Sequence, residues 1–175
     1  MEVSTIKGNI VDPPSNCWRY EAAPRAGFII DGEAYFRAFR QSLLQAQRSV
    51  FILGWDINSR LRLLRGDEND GFPAELSAFL NALAERRRGL HIYILAWDFA
   101  MIYAPEREWL PVYHLDWKTH RRVHFQLDDQ HPLGASHHQK IVAVDDCVAF
   151  VGGFDLSRER WDTRAHRAEK PRRTA

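Results

Sequence analysis

His138 and Lys140 stand two positions apart in the run Ser136-His137-His138-Gln139-Lys140. Side chains at i and i+2 of a strand project from the same face. On a strand, the two would therefore be presented together. A lysine ammonium supplies a fixed positive charge suited to phosphoryl oxygens. An imidazole is a nucleophile or proton carrier near neutral pH. The pair thus suits chemistry at phosphorus, whereas a packed core has little use for either residue. Further on, Gly152-Gly153 would let backbone approach a ligand closely. Two upstream runs, Ile52-Leu53-Gly54-Trp55-Asp56 and Ile94-Leu95-Ala96-Trp97-Asp98, share an ending. Ligands of open α/β sheets bind outside the carboxyl ends of strands. Asp56 and Asp98 could therefore line the same site. Equally, Trp55 and Trp97 could be core residues, with the two aspartates capping the next helices.

These residues need elements to carry them. Gln139–Val144 is apolar and β-branched and predicts a strand, and Cys147–Val151 predicts a second. Asp145-Asp146 is the two-residue link of a hairpin, because Asp tolerates left-handed backbone. Upstream, Gly27–Ile30 reads as a strand, with Asp31 capping a helix whose face is Phe36, Phe39 and Leu43. Ser49–Gly54 reads as a buried strand and Leu61–Leu64 as a short one. A helix is expected from Pro73 to Arg88, with Gly89 just past its end. Its apolar face is Leu76, Phe79, Leu80 and Leu83. Glu75 near its start and Arg86, Arg87 and Arg88 near its end suit the helix dipole. Leu90–Ala96 predicts another buried strand, Phe99–His120 a helix broken at Pro111, and Val123–Leu127 a strand. The alternation predicts an α/β fold with a mixed, largely parallel sheet flanked by helices.

His138, Lys140, Asp145, Gly152 and Gly153 also match a known spacing: His-x-Lys, four residues, Asp, six residues, Gly-Gly. In this they resemble the phospholipase D superfamily. The continuation Gly153-Phe154-Asp155-Leu156, with Arg160-Trp161-Asp162-Thr163 and His166, is similar to its phospholipase branch. The common superfamily form, Gly-Ser-x-Asn, is replaced here by Gly153 and Asp155, so no hydroxyl is available at that point. The resemblance implies a phospholipase D-like fold and a two-step displacement through a phosphohistidine. His138 and Lys140 would be catalytic, with Asp145 grouped with them as an orienting or structural partner. Gly152, Gly153, Asp155 and His166 would bind substrate. It implies no cofactor and no metal. The substrate would be a phospholipid at a membrane surface, taken by hydrolysis or alcohol exchange. A second His-x-Lys half is needed from elsewhere, either a missing C-terminal region or a second copy, because this sequence holds one. Two alternatives belong beside this reading: a single-motif homodimeric nuclease, and a non-catalytic domain that binds phosphate or head groups. The Gly-Gly-x-Asp variant argues against nucleic acid as partner.

The chain has 175 residues, 45% hydrophobic and 27% charged, with a net charge of +1. That suits one ordinary globular domain and points to no partner by overall charge. Residues 1–24 are rich in proline and expected to be irregular. Residues 25–156 would form the α/β domain carrying the first motif. Residues 157–175 form a basic stretch, read as interrupted. Cys17 and Cys147 are too few for a disulfide framework and are expected to be reduced, packed thiols. No apolar leader opens the chain, and its apolar runs are too short to cross a bilayer. The expected location is the cytoplasm, at most peripheral to a membrane. His91, His114, His120, His124, His131 and His137 are read as surface or packed residues, with His137 facing away from His138.

Overall fold

The computed structural model describes residues 10–66, 68–97, 120–132 and 135–168. The expected helix over Phe99–His120 and the aspartate at Asp98 lie outside them, apart from His120. Among the described residues, two α-helices and five strands follow in the order α1 (Gly32–Gln45), β1 (Ser49–Gly54), α2 (Leu76–Arg86), β2 (His91–Trp97), β3 (Val123–Asp128), β4 (Ile141–Val144) and β5 (Val148–Val151). The sheet order is β3-β2-β1-β4-β5. β1, β2 and β3 are mutually parallel, while β4 runs antiparallel to β1 and to β5. The fold is therefore an open α/β sheet, parallel at its centre, with an antiparallel hairpin added beside β1.

Alternation along the strands builds the core. Val50, Ile52, Ile92, Ile94, Val123, Phe125, Val142 and Val144 point to one face. There they meet Phe36, Phe39 and Leu43 of α1 and Leu76, Phe79, Leu80 and Leu83 of α2. Both helices thus cover the same face. On the other, Phe51 stacks on Tyr93 (4.9 Å between centroids) and Tyr93 on His124 (4.8 Å). The continuous apolar runs had suggested strands buried on both sides; Phe51 and Tyr93 are instead 40% and 39% exposed.

Several local expectations change for identifiable reasons. Gly27–Ile30 is not a strand, since no neighbour among the described residues pairs with it. Leu61–Leu64 is reduced to one bridge, Arg62 with Glu75. The helix expected from Pro73 begins at Leu76, because Ala74, Leu76 and Ser77 bond instead to Leu63, Leu61 and Ser59. It ends at Arg86, and Gly89 takes no left-handed cap. The Arg87 guanidinium donates to the carbonyls of Leu43 and Ala46, which closes the end of α1. Asp31 sits at the N-cap of α1 but makes no capping bond with its side chain. The carbonyl of Asp162 accepts from Glu33 N–H instead. Trp161 is 3% exposed and belongs to the core, with the Arg65 guanidinium 4.8 Å from its ring, so the packed body continues past Leu156. Both cysteines are free, but Cys147, in the hairpin turn, is exposed rather than packed.

Candidate active site

β1 and β2 are parallel and in register, so Trp55 and Trp97 emerge together at the carboxyl edge. Their indoles stack at 5.5 Å and 25°. β4 starts at Ile141, one residue later than Lys140, because β1 and β5 run out at the same level: Leu53 and Val151 are the partners of Ile141. Lys140 is therefore on the approach to the strand, not within it as Gln139–Val144 had suggested, and His138 lies two residues further back. One further bond, Gly152 N–H to Lys140 C=O at 3.3 Å, extends the pairing.

The two motif residues converge on the exit of β1. The imidazole of His138 is exposed and stands edge-on to Trp55, 6.0 Å between centroids. Lys140 is 8% exposed, and its Nζ lies 3.3 Å from Asp155 Oδ2 and 3.3 Å from the His138 carbonyl. Asp155, 3% exposed, also accepts the backbone N–H groups of Trp55 and Asp56 on Oδ1, each at 3.2 Å. A buried ammonium needs a counter-charge, since each unpaired ion costs several kcal/mol of desolvation. Asp155 provides it and pins the β1 exit in the same contact. Asp56 is thus at the site by its backbone. A small cavity beneath the pair is lined by Tyr35, Gly54, Ile57 and Phe154. Tyr35 stacks on Phe154 at 5.9 Å. Burial, and then the nearby charge of Asp155, push its hydroxyl up to about 12.

The remaining motif residues are spread more widely. Gly152 and Gly153 are exposed, and a Cβ on either would meet nothing within 4 Å. Asp145 is at the hairpin tip, roughly 16 Å along the chain from Lys140 at strand spacing. Both Asp145 and Asp146 have positive φ, 52° and 56°, the twist-matched turn expected of the hairpin. The Asp145 carboxylate accepts from the N–H groups of Gln47, Arg48 and Ser49 at 2.7–2.8 Å. Burial raises its pKa, but those donors and the Arg48 charge outweigh it, and the group titrates below its ordinary range. It thereby fastens the hairpin to the α1–β1 connection. His166 takes a positive φ of 43° and lies between Asp162 (Nδ1 to Oδ2, 3.1 Å) and Asp31 (Nε2 to Oδ1, 3.4 Å), at the start of α1.

Three residues not assigned to the site border it. His137 pairs with Asp128 at 3.4 Å, and His131 packs on Trp97 (5.8 Å) and His137 (5.7 Å). Strand exits at Asp128 and Trp97 were the available signal, since parallel strands end on one edge. Among the described residues no group of three or more His, Cys, Asp or Glu is placed to hold a metal ion. Nor is any described helix long and apolar enough to cross a membrane.

No family model matches the chain. It is similar to phospholipase D C of Dictyostelium discoideum, 35% identical over 135 residues, covering 76% of this chain and 8% of that protein. It is 32% identical to phospholipase D2 of Bos taurus over 150 residues, covering 81% and 15%. It is 30% identical to phospholipase D1 of Saccharomyces cerevisiae over 145 residues, covering 79% and 8%. The chain thus spans 8–15% of the length of these relatives.

Proposed function

We propose that this chain, related in sequence to the phospholipases D over about four fifths of its length, supplies one His-x-Lys half-site of a phosphodiesterase acting on phospholipids. The observation that carries the reading is the convergence of His138 and Lys140 on the β1 exit, with Asp155 holding the lysine. His138 is the exposed nucleophile. Its imidazole attacks phosphorus, an N–P bond forms, and the P–O bond to the leaving alcohol breaks. Lys140, held by Asp155, faces the phosphoryl oxygens, where developing negative charge is stabilised in a partly desolvated setting. A second histidine, from the complementary half, donates a proton to the leaving oxygen. The same histidine then takes a proton from the water or alcohol that releases the phosphohistidine. Asp145 acts at a distance by holding the hairpin, while Asp98, Gly152, Gly153 and His166 are candidates for contacts with the substrate. No cofactor enters this scheme. The relatives' names, phospholipase D, support a lipid phosphodiester over other esters.

The test is turnover of a chromogenic phosphodiester by the purified chain, with its mass measured in solution, alone and with a complementary His-x-Lys half. Weak or no turnover is expected from the monomer, and activity with the complement that His138→Ala removes. Robust turnover by a confirmed monomer that survives His138→Ala overturns the assignment. Activity confined to a dimer of this chain alone, and lost in His138→Ala, would move the reading to a single-motif homodimer.

A further inference from the structure

Phe28, Ile29 and Ile30 are 102%, 40% and 53% exposed. Scattered apolar residues on a surface are ordinary, but three in succession on a segment without regular structure form a patch that calls for an occupant. The start of α1 fixes where this patch stands. Asp31 leads directly into α1, and only Ala46–Arg48 separate α1 from β1. A connection so short makes α1 run back antiparallel to β1, so the first turn of α1 stands at the edge where β1 exits. Two contacts agree: Tyr35, one turn into α1, stacks on Phe154, and Glu33 N–H bonds to the Asp162 carbonyl. Phe28 is three residues before Asp31 and so lies within roughly 10 Å of that turn. The patch is flanked by cations. Arg25 precedes it and is exposed; Arg160, also exposed, has its carbonyl against Gly32, with Arg164 exposed just beyond.

We propose that Phe28, Ile29 and Ile30 insert into the interfacial layer of an anionic lipid bilayer, with Arg25, Arg160 and Arg164 on its head groups. This rests on the phospholipid reading above. The phosphodiester of a bilayer lipid lies at the head-group plane, so the edge bearing His138 must face that plane to reach it. The apolar tip is at that edge, and so is Arg160, whose carbonyl lies against Gly32. Apolar insertion and attraction to anionic lipid reinforce one another, as at other peripheral membrane sites.

The experiment is co-sedimentation of the full chain with phosphatidylcholine vesicles containing phosphatidylglycerol. Phe28→Asp with Ile30→Asp should lower the partition coefficient about tenfold or more, since apolar burial is replaced by charge against an anionic surface. Phe28→Leu should stay within about threefold of the parent, because the apolar contact is kept. All three side chains are exposed, so circular dichroism of the variants should match the parent. A parent that fails to sediment, or a double variant that sediments equally, overturns the insertion. Turnover of a water-soluble diester in the presence of a complementary half is read in parallel and should be unaffected by the double variant. Sedimentation that depends on Phe28, without turnover in any sample, supports the insertion while defeating the phosphodiesterase reading.

Discussion

The carboxylate of Asp155 is shared between a buried lysine and two backbone N–H groups, so its removal has more than one cost. Asp155→Ala strands the Lys140 ammonium in a nearly dry site, and the expected loss is about 3–5 kcal/mol in chemical denaturation. Asp155→Asn keeps an acceptor for Trp55 and Asp56 and should cost less. If Asp155→Ala unfolds no more readily than the parent, the pair is not the anchor described. Asp145 invites a different measurement. Its folded pKa is depressed, so its contribution is present above the unfolded value near 3.9 and is lost as pH falls through the folded value. Asparagine tolerates the left-handed backbone of that position, so Asp145→Asn changes charge and acceptors rather than the turn. The variant should be about 1–2 kcal/mol less stable than the parent near pH 6. The gap should begin to narrow below roughly pH 4 and close once the pH has fallen below the folded value. A gap independent of pH would show that the carboxylate charge is not what fastens the hairpin.

At the scale of elements, the weight falls on the packing of the Arg158–Asp162 segment against α1. A Cβ at Gly32 would lie 2.0 Å from the Arg160 carbonyl, and backbone on both sides leaves little room to yield. Gly32→Ala should therefore destabilise by about 1–3 kcal/mol despite alanine's better helix propensity. Proteolysis should speed up at Arg158 and Arg160, and unchanged cleavage would count against a tight contact there. Helices, central strands and the hairpin turn were legible in the sequence because their signals are local: periodicity, β-branching, and an Asp-Asp pair between apolar runs. What sequence reasoning missed depends on neighbours distant in the chain. Gly27–Ile30 has strand composition but, among the described residues, no strand beside it. The cap of α1 comes from Asp162, not Asp31. The donors to Asp145 are 96–98 residues away, so nothing around it signals a staple. Of the site, the common Trp ending of β1 and β2 could be read from their matching sequences, whereas His138 and Lys140 lie ahead of β4, outside the strand whose i, i+2 rule had paired them. The burial of Asp155 and the nearness of His131, His137 and Asp128 arise only once three parallel strands end at a common edge.

For the molecule as a whole, the proposed half-site makes a kinetic prediction. An ester whose leaving group is already a stable anion, such as p-nitrophenolate, does not need the complementary histidine as acid. His138 should displace it once, forming the N–P bond, and release should then stall for want of a base. The expected result is a burst of at most one equivalent of p-nitrophenolate per chain, with a matching mass increase that maps to His138. Steady turnover without a burst, or a burst retained in His138→Ala, would exclude the scheme. The sheet order has another consequence. β4, which closes the free edge of β1, is reached only after β2 and β3 have been laid on the opposite side. During synthesis the ribosome therefore releases a nascent three-stranded sheet whose first strand keeps one hydrogen-bonding edge open until the hairpin emerges. Unpaired edges of this kind recruit other strands. A chain stalled near residue 135 should be a substrate for holdase chaperones, and one extended through Trp161 should escape them.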